Sequence, residues 1–152
     1  MVDMDKSYIL FSSVVIEIAS KKFNAGVSHE EAEPFVKALY EKYIGLNLPR
    51  PDLTWISATP KSAKAWVADE LEGRFVSYGQ RPRWLHQPSW RYLDGVPMSF
   101  VHQFSVEAGG DDYFGGVMTY VFFGRNFIEG EDWELVVKMV QQDEDEAGST
   151  FL

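Results

Sequence analysis

Apolar and polar positions alternate at two different periods along this chain, and the change falls near residue 73. Before it the spacing is helical. Phe11, Val14, Val15 and Ile18 recur at three- and four-residue intervals within residues 8–23, and Asn24-Ala25-Gly26 supplies a stop. In "SHEEAEPFVKALYEKYIG", Ser28 and Glu31 have capping-box spacing, but Pro34 would then fall inside the helix, where its missing N–H is costly. The main helix is therefore predicted to open at Pro34, present Phe35, Val36, Leu39 and Tyr43 on one face, and end at Gly45. "NLPRPDL" is a proline-punctuated loop. In "ATPKSAKAWVADELEG" a third helix is expected, with Thr59 as N-cap, Pro60 first and Gly73 as stop; Trp66 is an anchor for core or interface.

After residue 73 the period shortens to two. "RFVSY" is strand-like. In "PMSFVHQFSVE", Met98, Phe100, His102, Phe104 and Val106 share one predicted face, with Ser99, Gln103, Ser105 and Glu107 on the other. "GGDDYFGG" is a turn. "VMTYVFFG" is apolar on both faces and fits a central strand covered on both sides. "WELVVKMVQQ" places Trp133, Leu135, Val137 and Met139 together before the acidic "DEDEAGST". Helices followed by strands predict an α+β fold, with N-terminal helices and a mainly antiparallel sheet. The expected organisation is one domain over 1–152: a helical part to residue 72, a sheet part over 73–143, and a flexible acidic tail over 144–152.

Composition narrows the chemistry. With 152 residues, 45% hydrophobic, the chain can bury a core without staples. It has no cysteine, which excludes disulfides, thiolate metal sites and cysteine nucleophiles and fits a reducing compartment. The N-terminal apolar run follows Asp3 and Asp5, is interrupted by Glu17, and is too short to span a bilayer. A cytoplasmic protein without membrane contact is the expectation.

The net charge of −9 is unevenly placed. Residues 73–106 carry four arginines against Asp94, whereas residues 107–152 carry eleven acids against Arg125 and Lys138. Such a field repels nucleic acid and attracts a basic partner. The aromatic and basic stretch "RPRWLHQPSWRY" therefore reads as internal packing, its arginines paired with the carboxylates of residues 107–146, and no nucleic-acid partner is expected. No G-x-S-x-G occurs, and His29, His86 and His102 have no metal-ligand spacing; His29, in its acidic lead-in, is expected on the surface. Asp111 and Asp112 lack the calcium-loop pattern. Glu17 and Glu107, beside apolar sequence, are the carboxylates a hidden acid–base pair would use. The expectation is no enzyme, no cofactor and no metal. His102, on the apolar face, would need a hydrogen-bond partner inside the core.

"PRWLHQPSW", "DGVPMSFVHQFSV", "VMTYVFF" and "VVKMVQQDEDE" together resemble the YwqG-like family of bacterial proteins, over about residues 59–143. Trp84, Trp90, Gly95, Pro97, Met98, Phe100, Gln103 and Gln141 match the family's pattern. His86 stands where that pattern has glutamine, and Arg91 where it has proline. The resemblance implies an α+β domain and a role as an immunity protein that neutralises a cognate antibacterial toxin. An acidic inhibitor of this kind would occlude a basic active site, gaining orientation from its field. Its candidate partner contacts are Asp111, Asp112, Glu129, Glu131, Asp132 and Glu134. Two alternatives stand beside it: a small-ligand-binding domain with a pocket lined by Trp84, Trp90, His102 and Gln103, and a hydrolase of unrecognised type.

Overall fold

The computed structural model describes residues 4–27, 30–107, 116–129 and 132–143. His29 and the tail over 144–152 lie outside them. The fold is α+β: helices α1 (Met4–Phe23), α2 (Glu33–Ile44) and α3 (Lys61–Leu71) precede a two-stranded hairpin and a three-stranded antiparallel sheet. The hairpin pairs β1 (Tyr92–Leu93) with β2 (Val96–Pro97); the sheet has the order β3 (Ser99–Glu107), β4 (Gly116–Glu129), β5 (Asp132–Asp143).

The helical periodicity translates directly into burial. Phe11, Val14, Val15 and Ala19 of α1 are buried, as are Phe35, Val36, Leu39 and Tyr43 of α2. Helix α1 ends where Asn24 takes a positive φ of 55° and its N–H returns to the Ser20 carbonyl; asparagine tolerates this left-handed conformation better than most residues. Pro34 lies in the first turn of α2, which has no side-chain cap. Helix α3 begins one residue later than expected, with Pro60 at the N-cap position, and Thr59 does not cap it. The Thr59 hydroxyl instead donates to the Trp55 carbonyl, in the turn before the helix.

Aromatic rings carry the core from the helices to the sheet. Trp66 and Trp55 pack against Tyr43, and Tyr43 against Phe11. Phe75 touches Phe23, Phe35 and Trp90, and Trp90 meets Phe122 edge to face. Edge-to-face geometry aligns the positive ring edge with the negative face of the neighbour, which adds to area burial.

Two expectations for the strands need correction, and one hairpin was missed. "RFVSY" is not a strand of the sheet: only Ser77 bridges Phe100, in parallel, with the Phe100 N–H donating to the Val76 carbonyl and the Tyr78 N–H to the Phe100 carbonyl. The hairpin β1–β2 was not foreseen, although Asp94 (φ 50°) and Gly95 (φ 76°) form the tight two-residue turn that an Asp-Gly pair favours. The alternation of β3 also breaks. Phe100 pairs with Phe122, but His102 pairs with Val121, so an extra residue, Val101, enters between them as a bulge. Beyond it the faces exchange. His102 and Phe104 turn to solvent, and Gln103 turns inward opposite Tyr120.

Candidate functional site

The segment over residues 81–92 is a strap that ties the end of α1 to the sheet. Trp84 Nε1 donates to the Asn24 carbonyl at 2.8 Å, and the Arg81 guanidinium to the Lys22 carbonyl at 3.1 Å. Tyr92 donates its hydroxyl to the Gly26 carbonyl, and Trp90 Nε1 to the Met98 carbonyl. Two glutamines on the inner face of the sheet hold the strap from the other side. Gln103 Oε1 accepts from the Arg83 N–H at 2.7 Å. Gln142 Oε1 accepts from the Leu85 and His86 N–H groups and from Tyr120, while its Nε2 donates to the Gln87 carbonyl. A carboxamide suits this place because it offers acceptor and donor together to a loop lacking a strand partner.

Gln141, not Gln142, carries the match to the family pattern, yet its side chain is exposed and donates to Thr119. The neighbouring residue makes the loop contacts.

Beneath the sheet, Glu31 collects cations. Arg91 grips it with two bonds, Nε to Oε1 at 3.0 Å and Nη2 to Oε2 at 2.7 Å; Lys138 reaches Oε2 at 3.2 Å, and the Tyr92 N–H donates to Oε1. The hydrogen bonds from Arg91 above all hold the carboxyl down at about 2, against the opposing effect of desolvation. Burial, followed by the Glu31 charge, pushes the Tyr92 hydroxyl up. The Glu31 shift arises from a structural ion pair within the fold, and the Tyr92 shift chiefly from burial.

The four residues of the alternative pocket are not brought around one cavity. Trp90 is fully buried among rings. Trp84 packs at a tilt against Tyr120, 4.4 Å between ring centres, and Gln103 is occupied by the strap. His102 projects from the opposite face, exposed and stacked on Phe104. Its expected place inside the core is corrected by the Val101 bulge. Among the candidate partner contacts, Asp111, Asp112 and Glu131 lie outside the described residues. Glu129 and Asp132 pair in register where β4 meets β5, and Glu134 is exposed and accepts from Asn126 at 3.1 Å. Glu17 is exposed and pairs with Lys21.

The outer face of the sheet went unnoticed in the sequence. Central strand β4 buries Tyr120 and Phe122 inward, as expected. Its other face, expected to be covered, has no second layer among the described residues: Val121 and Phe123 are half-buried, and the flanking Phe104, Leu135, Val137 and Met139 are 40–54% exposed. At one end this face runs into an open groove of about 910 Å³ between hairpin β1–β2 and the sheet. Leu93, Val96, Met98, Val101 and Phe123 line it, with Asp94, Arg125 and Asn126 among its polar groups. The signal was present in the alternate Leu135, Val137 and Met139, but periodicity cannot say whether a strand's apolar face is covered.

Among the described residues no group of three or more His, Asp or Glu side chains could hold a metal ion, and no helix is long and apolar enough to cross a membrane. No family model matches the chain, and neither a curated protein nor a solved structure matches it.

Proposed function

We propose that this protein is an inhibitor of the immunity type, which neutralises a toxin by laying its outer sheet face over the toxin's surface. The exposed apolar face carries the reading: contiguous apolar surface on a folded domain marks an interaction site more often than a solvated one. Phe104, Val121, Val137 and Met139 form its centre. In the sequence Asp111 and Asp112 stand between β3 and β4 and Glu131 between β4 and β5; Glu129 and Asp132 pair in register, and Glu134 is exposed near that end of β5, on the face opposite Leu135 and Val137. An apolar face on a strongly acidic chain fits a partner with an apolar patch and a basic surround, and the acids would steer its approach. The resemblance to the YwqG-like family supports the immunity role, and the net charge of −9 supports a basic toxin.

The test is binding to the product of the neighbouring reading frame, measured by calorimetry and by rescue of cells expressing it. Phe104→Glu and Met139→Glu should each abolish binding and rescue without unfolding the protein. Full rescue by both variants would reject the outer face as the contact. No binding and no rescue by the parent chain would reject the immunity role itself.

A second reading follows from the groove, whose volume lies within the range of small-molecule sites. It would take a mainly apolar ligand. Chemical-shift changes confined to Leu93, Met98 and Phe123 on addition of small apolar compounds would favour it over the inhibitor reading.

A further inference from the structure

Strand β5 is an edge of the sheet, twelve residues long, and only part of that edge is closed. The phase of its backbone follows from two observations. Arg91 donates to the Met139 carbonyl at 2.7 Å, and His86 Nε2 lies 2.9 Å from the Asp143 carbonyl, both from outside the sheet. On the far edge the Phe100 N–H and carbonyl turn away from β4 to Val76 and Tyr78, as the registers through β4 require if the odd-numbered residues of β5 face outward. Leu135 and Val137 therefore direct their N–H and carbonyl groups to the open edge. No described residue pairs with them there. Their side chains are 53% and 46% exposed. Natural edges are usually blunted by charge or cover. Arg91 and His86 blunt this one from Met139 onward, and Leu135–Val137 is left as a template.

We propose that this open segment pairs with the same segment of a second copy of the chain, antiparallel about a twofold axis at Val136, joining two three-stranded sheets into one of six strands. The sequence is self-complementary in this register. Leu135 of each copy lies opposite Val137 of the other, so the two pairs exchange four N–H···O bonds. Glu134 lies opposite Lys138, whose ammonium has three donors, two of them used by Glu31 and the Tyr92 carbonyl. No like charges face each other across the axis. A twofold at Val137 would instead set Leu135 against Met139, whose carbonyl Arg91 already holds. A twofold at Leu135 would leave Glu134 opposite Val136, without a cation. Such an interface is isologous and closes at two copies. It does not rest on the inhibitor reading, because the outer face stays open in the dimer.

Sedimentation velocity over a range of concentrations tests the association, and a crosslink tests the register. The chain has no cysteine, so Val136→Cys introduces a single thiol at the axis. Non-hydrogen-bonded antiparallel pairs bring Cα atoms within disulfide reach. Mild oxidation should convert Val136→Cys to a covalent dimer and leave Val140→Cys, on the same face, as monomer. Val137→Pro removes an outward N–H, which an edge strand tolerates, and should weaken the dimer by about tenfold or more. A parent protein that stays monomeric at every concentration, or a dimer in which Val136→Cys fails to crosslink, would overturn the proposal.

Discussion

Glu31 and Arg91, sixty residues apart, meet in a two-pronged pair that fastens the 3-10 turn before α2 to the strap and, through Lys138, to β5. Both side chains are about 30% exposed or less, so the pair is stronger than a surface bridge yet incompletely desolvated. Because the folded carboxyl titrates at about 2, below its ordinary 4.5, the stability it contributes is complete above pH 4.5 and is lost as pH falls toward 2. Glu31→Gln should lower stability at neutral pH by about 2 kcal/mol and flatten the acid limb of the stability curve between those values. Urea unfolding at neutral pH and at pH near 3 measures both effects. An unchanged acid limb would assign it to other carboxylates.

The adjacent glutamines of β5 should behave oppositely. Gln142→Ala strands the His86 N–H and the Gln87 carbonyl and leaves the Leu85 N–H to Tyr120 alone, a loss of about 2–3 kcal/mol. Gln141→Ala, on the exposed face, should change stability by less than about 0.5 kcal/mol. Hydrogen exchange at Leu85 and His86 should quicken only in the first variant. Equal effects would mean that the strap is held elsewhere.

Gly26 marks a close backbone approach. A Cβ built there would lie 2.2 Å from the Pro88 carbonyl oxygen, and neither backbone can yield without moving the strap from α1. Gly26→Ala should cost more than about 3 kcal/mol or abolish soluble expression. A melting temperature equal to the parent's would show that the strap is not seated against this residue.

The bulge at Val101 predicts unequal outcomes at two positions of one motif. Phe100, buried against Trp90 and Phe122, should lose about 3–5 kcal/mol when truncated to alanine. His102→Ala, at an exposed position, should alter thermal stability little. A large loss at His102 would restore unbroken alternation and remove the bulge.

Local repetition explains how much could be read in advance. The apolar spacing of α1 and α2, Pro34 in the first turn of α2, and the stop at Asn24 all depend on neighbours within about one helical turn, which the sequence displays directly. The alternation of β5 was legible for the same reason. The burial of Trp90 and Tyr92 in "RPRWLHQPSWRY" was anticipated from the size of its rings and from a chain too acidic for its few arginines to serve phosphate. The expected pairing of those arginines with carboxylates of residues 107–146 is corrected: Arg91 takes Glu31, and Arg81 the Lys22 carbonyl.

What chain order determined by itself is the succession of helices then strands, the apolar stripe of each element, and an acidic last third. Tertiary structure alone decided which glutamine holds the strap, which carboxylate takes Arg91, where Val101 interrupts β3 to send His102 outward, and which apolar face stays uncovered. Those outcomes depend on groups tens of residues apart. One inserted residue in a strand exchanges its faces, and the sequence contains no local mark of whether another layer will lie above them.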